Sequence, residues 1–85
     1  MRREPRTFSI WATVARMGPS HFEVNLSGLA VDADGPEERF AETAMAETLE
    51  AAIELRLTMV KEVCKRLEIA GSRVSMVQLH YLDLE

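Results

Sequence analysis

Apolar and polar residues alternate along "TFSIWATVARM" (residues 7 to 17), with Phe8, Ile10, Ala12 and Val14 on one side and Thr7, Ser9, Trp11 and Thr13 on the other. A period of two, rich in aromatic and β-branched residues, predicts a strand. The turn residues Gly18, Pro19 and Ser20 follow, since Gly accepts positive φ and Pro presets φ. Alternation resumes in "HFEVNLSGLAV" through Phe22, Val24 and Leu26, then slips phase at Gly28, with Leu29 and Val31 on the other parity. A one-residue slip at a glycine predicts a β-bulge. The two segments together predict a hairpin.

After Pro36 the pattern changes. Through Ala70 there is no Gly or Pro, and Ala, Glu, Leu, Met and Lys abound. This composition predicts one helix of roughly 35 residues, about 50 Å long, stopped by Gly71. The preceding "VDADGPEERF" resembles a cation loop only at first sight. An EF-hand places its glycine sixth and a bidentate Glu twelfth, whereas here Gly35 comes three residues after Asp32 and Pro36 follows. The stretch fits a helix start, with Asp34 or Gly35 as cap, Pro36 in the first turn, and Glu37 and Glu38 at the positive end of the dipole.

At helical spacing, Ala46, Leu49, Ile53, Leu57, Val60, Cys64 and Leu67 form a main stripe. Ala41, Met45, Ala52, Leu55, Met59 and Val63 form a second beside it. Their combined arc is roughly 200°, wider than a helix lying on one sheet needs. The final "RVSMVQLHYLDLE" predicts a strand that is apolar on both parities: Val77, Leu79 and Tyr81 on one, Val74, Met76, Leu82 and Leu84 on the other.

The expected fold is therefore α+β, in the order β-β-α-β, with a three-stranded antiparallel sheet of order 2-1-3 and one long helix on one face. Such a monomer leaves one sheet face bare and the helix arc half covered, and exposed apolar area of that extent marks an interface. A homo-oligomer follows, most simply a two-fold dimer that packs sheet on sheet, pairs edge strands, or packs its protruding helices.

Composition narrows the picture further. The 85 residues, 47% of them hydrophobic, make one domain spanning 1–85, with residues 1–6 as a flexible basic arm carrying Arg2, Arg3 and Arg6. The single cysteine, Cys64, permits no internal disulfide and suits a reducing, cytoplasmic setting. "MRREPRTF" is followed by no apolar run, so no signal peptide is expected, and no stretch is long enough for a bilayer. The net charge of −4 is concentrated between Glu37 and Glu54, ahead of Lys61, Lys65 and Arg66. That polarity suits a helix dipole better than a nucleic-acid footprint.

No motif identifies a reaction. Cys64 sits late in the helix on an apolar stripe, where the dipole opposes a thiolate, so it reads as a small buried hydrophobe. His21 and His80 lack metal-ligand spacing, and no CxxC, HxH or HxxxH occurs. Ser20, Ser27, Ser72 and Ser75 are explained by turns and strand edges, and no phosphate-cradling glycine loop is present. Neither a catalytic residue, a metal ligand nor a cofactor is expected.

Arg56, at the edge of the apolar arc, is suited to an acid of a partner helix or an anionic ligand, with snorkelling to solvent as the plainer role. Trp11 on a sheet face is suited to a planar ligand or, more simply, to a dimer contact. RNA binding on a sheet wants two or three aromatics among basic residues, and the sheet offers Trp11 with Arg16 and Arg73.

The expected function is a non-enzymatic self-associating module with Trp11, Met17, Met45, Ala52, Leu55, Met59 and Val63 at its interface. The runner-up is an oligomer that binds an unidentified small ligand between subunits, at Trp11, Arg56, His80 and Tyr81. Nucleic-acid binding through the N-terminal arm ranks third, against an acidic body.

Overall fold

The alternating segments do form a hairpin, but the stretch read as one long helix divides into a strand and a helix. The structure is a computed structural model that describes residues 6–30 and 38–85. Its elements are β1 (Thr7–Gly18), β2 (His21–Ala30), β3 (Arg39–Ala46), α1 (Leu49–Ile69) and β4 (Arg73–Asp83). They build a four-stranded mixed sheet in the order β3-β2-β1-β4, with α1 packed on one face.

The order β-β-β-α-β corrects the expected β-β-α-β. The neighbours 2-1-3 survive, since β1 lies between β2 and the last strand, but an extra strand flanks β2. That strand also reverses the direction of everything after it. β3 is antiparallel to β2, α1 runs back along the sheet, and β4 is consequently parallel to β1 instead of antiparallel.

The reason that residues 39–46 form a strand lies in β2. Gly28 is not a bulge: its pairing with Ile10 continues the β1–β2 register without interruption, and that ladder shifts only between Arg16 and Gly18. Gly28 instead stands opposite Phe40 of β3, whose ring occupies the place a Cβ would need. The ring also lies against Phe8, with centroids 5.9 Å apart. A glycine covered by a cross-strand aromatic pins strand register, and here it outweighs the helix propensity of "RFAETAMA".

The helix starts later than expected. Thr48, in extended conformation, is its N-cap, and its Oγ1 accepts a hydrogen bond from the Ala51 N–H at 3.1 Å. Asp34, Gly35, Pro36 and Glu37, expected to begin a helix, lie outside the described residues. The expected stop at Gly71 is found: at φ +83° it closes a Schellman motif, with Gly71 N–H bonded to Glu68 O and Ser72 N–H to Leu67 O. The helix thus has 21 residues, about 32 Å.

The core lies between α1 and one face of β1 and β2. Ile10, Ala12, Val14, Phe22, Val24 and Leu26 of the sheet are buried with Ala52, Met59 and Val63 of the helix. Each Val, Leu, Ile or Phe buried this completely contributes roughly 1.5–3 kcal/mol. The second stripe therefore faces the sheet, while the main stripe is divided, with Val60, Cys64 and Leu67 packed against the core. Ala52, Met59 and Val63 of the second stripe face the sheet, whereas Leu49, Ile53 and Leu57 of the main stripe are exposed.

A salt bridge fixes the helix from one side and a hydrogen bond from the other. Arg66 reaches Glu42 of β3 at 2.6 Å, and Arg56 Nη1 donates to the backbone carbonyl of His80 in β4 at 2.8 Å. These two ties set which flank of α1 looks towards which edge of the sheet.

Candidate functional site

β4 is where the chain leaves most apolar surface uncovered. It is an edge strand, and from Met76 to Glu85 every residue is exposed. Phe8 pairs with Val74 and Ser9 with Met76, so Ser75 is an extra residue in β4, and its hydroxyl donates to Phe8 O at 3.3 Å. The bulge puts Val74 on the same face as Val77, Leu79 and Tyr81, which pair with Ile10, Ala12 and Val14 on the helix side. Met76, Gln78, His80 and Leu82 occupy the open face.

The helix-side row of β4 continues onto α1. Leu49, Ile53 and Leu57 recur every four residues along the flank that carries Arg56 towards β4. Leu57, Leu79 and Tyr81 are about half exposed (51%, 54% and 48%). One apolar surface thus runs from the helix flank over the sheet edge, and Met76 and Leu82 extend it round to the open face.

Its borders are charged. Arg16 holds the end of β4 through Asp83 at 3.5 Å and Glu85 at 2.9 Å, and exposed Arg73 stands at the beginning. Between Val74 and Leu82 no residue carries a fixed charge.

The expected interface residues divide accordingly. Ala52, Met59 and Val63 are already covered within the chain, and Leu55 packs at the border of the same core. Met17 and Met45 are exposed, and Trp11 is partly buried on the open face. Leu49, Ile53, Leu57, Val77 and Leu79 were not among the expected site residues. Their signal was the excess width of the helix arc and the double parity of the last strand.

The expected ligand residues do not share one place in the chain. Trp11 and His80 belong to the open face, whereas Tyr81 and Arg56 lie on the helix side. Arg56 is engaged with the His80 carbonyl, and the His80 ring lies 3.2 Å from Gln78 Oε1. Trp11 does border an open concavity of 510 Å³, together with Ser27, Gly28, Leu29, Arg39, Phe40 and Ala41.

Cys64 is partly covered, and burial, followed by the nearby Glu68 carboxylate, raises its thiol pKa above the ordinary value. That places it away from the thiolate a nucleophile needs. Among the described residues no group of three or more His, Cys, Asp or Glu is arranged to hold a metal ion, and no helix is long and apolar enough to cross a membrane. Arg2 and Arg3 of the expected nucleic-acid arm lie outside the described residues, while Arg6 pairs with Glu38 at 2.6 Å.

No protein-family model, curated protein or solved structure matches the chain.

Proposed function

We propose that this chain is a self-associating module whose working unit is a homodimer formed through the β4 edge and the adjoining flank of α1. The observation that carries the reading is the continuous exposed apolar surface made by Leu49, Ile53 and Leu57 with Val77, Leu79 and Tyr81. Sedimentation equilibrium over a micromolar dilution series should give twice the chain mass, dissociating on dilution. A single species of one-chain mass throughout overturns the proposal. We place the module in the cytoplasm, on the support of its single cysteine, which permits no internal disulfide.

A second reading has its own observation, the 510 Å³ concavity beside Trp11. It would take a small planar ligand against the indole. Trp11 is the only tryptophan, so its emission reports occupancy directly. Unchanged fluorescence across a metabolite panel removes this reading and leaves the first intact.

A further inference from the structure

We infer that two copies join β4 to β4 in a single register, antiparallel about a two-fold axis through Leu79, so that the four-stranded sheet continues into its partner. The inference rests on the self-association reading and adds to it which atoms meet.

The backbone decides which registers are open. Leu84 N–H donates to Arg16 O at 2.9 Å, on the β1 side of β4. Backbone groups of successive residues point to opposite sides of a strand. The N–H and C=O of Val77, Leu79 and Tyr81 therefore point to the free edge. A hydrogen-bonded antiparallel pair must set outward-facing residues against one another, which a two-fold axis at any residue from Val77 to Tyr81 satisfies.

The side chains choose among the five. About Leu79, Val77 meets Tyr81 and Leu79 meets itself on the helix side, while Met76 meets Leu82 and Gln78 meets His80 on the open face. Apolar meets apolar and polar meets polar throughout residues 76–82. About Gln78, Met76 falls opposite His80, and Tyr81 opposite Ser75. About His80, Asp83 falls opposite Val77; about Val77, Met76 falls opposite Gln78; and about Tyr81, Leu79 falls opposite Asp83. Only the first register matches every pair. It also stops where the extra residue Ser75 ends regular pairing.

Charge favours the same orientation. β4 begins at Arg73 and ends at Asp83, with Glu85 just beyond. Antiparallel joining brings each Arg73 to the acidic end of the other copy, whereas parallel joining would set like charges side by side. The bond from Arg56 to the His80 carbonyl keeps its helix flank beside β4. The flanks bearing Ile53 and Leu57 therefore face each other across the axis, above the joined Val77–Tyr81 pairs.

Cysteine cross-linking in a Cys64→Ser background tests the register. Opposed Cα atoms in a hydrogen-bonded antiparallel pair lie about 5.5 Å apart, within disulfide reach. Leu79→Cys should therefore oxidise to a covalent dimer nearly completely, whereas Val77→Cys and Tyr81→Cys, each opposite the other residue, should not when alone. The mixture of these last two variants should link as a heterodimer. Efficient linking of Val77→Cys or Tyr81→Cys alone overturns the register. If no variant links while sedimentation still gives dimers, edge pairing is overturned and self-association stands. If the variants and the unaltered chain sediment as monomers, both readings fall. Far-UV circular dichroism of each variant separates these outcomes from misfolding, to which half-exposed position 79 contributes little.

Discussion

The two edges of the sheet are finished differently. β3 turns alternate side chains inward, sets Phe40 over Gly28, ties Glu42 to Arg66 and bonds Thr43 to Asn25 at 3.0 Å. β4 is held by β1, by Arg16 and by Arg56, yet its side chains from Met76 onward all remain exposed. A free edge invites pairing unless it is short, charged or covered. β3 is the shorter strand and carries Arg39 and Glu42, while the middle of β4 is long and uncharged. Both strands are edges of the sheet, but β3 keeps alternate side chains half-buried within the chain, whereas β4 keeps its side chains from Met76 onward exposed.

The largest effect should come from placing charge at the axis of the open edge. In the proposed dimer Leu79→Asp sets two carboxylates against each other and should weaken association about a hundredfold or more by sedimentation. Met45→Asp, on the equally exposed open face of β3, should leave the dimer unchanged. Equal loss from both substitutions would erase the distinction between the edges.

Next in size is an attack on the closed edge. Gly28→Val drives a side chain into the Phe40 ring and should cost about 2–3 kcal/mol in urea unfolding. Adding Phe40→Ala should recover part of that loss, since the crowded partner is gone. A smaller effect is expected where β3 passes into the helix. Thr48→Ala removes the cap bond to Ala51 N–H and should cost about 1 kcal/mol, with an unchanged denaturant slope.

The smallest effect concerns Cys64, seven residues beyond Leu57 on the flank towards β4. Its pKa is raised in the fold by burial and by Glu68, so the native state holds the thiol proton more tightly than the unfolded chain. The resulting stability is complete below the ordinary thiol value and is lost as pH rises through the raised one. Iodoacetamide should accordingly modify the folded protein more slowly than the urea-unfolded chain at alkaline pH. Equal rates would contradict the shift.

The hairpin and the stop at Gly71 were legible because each is written locally, as a period of two and as a glycine at a helix end. β3 was not. "RFAETAMA" has the composition of a helix and no breaker before Leu49, and what makes it a strand is a hollow at Gly28 on another segment. Missing it also reversed the last strand. The helix arc was legible as too wide, but which stripe meets the sheet depends on the ties at Arg56 and Arg66, which pattern alone does not reveal. The same holds for β4: its double parity was visible, while the bulge at Ser75 that moves Val74 to the helix side was not.

The pairing of β4 with β1 has a further consequence for how the chain is assembled. Ser75 meets Phe8 across 67 residues of sequence, whereas β1 and β2 meet across a tight turn. Local pairing forms fast and distant pairing slowly, so the hairpin is complete while one side of β1 still waits for its last strand. During that interval the vacancy is open to β4 of another copy as well as to its own, so the yield of exchanged pairs should rise with protein concentration during refolding. Dilution during refolding is then the condition that lets each chain close upon itself before it meets another.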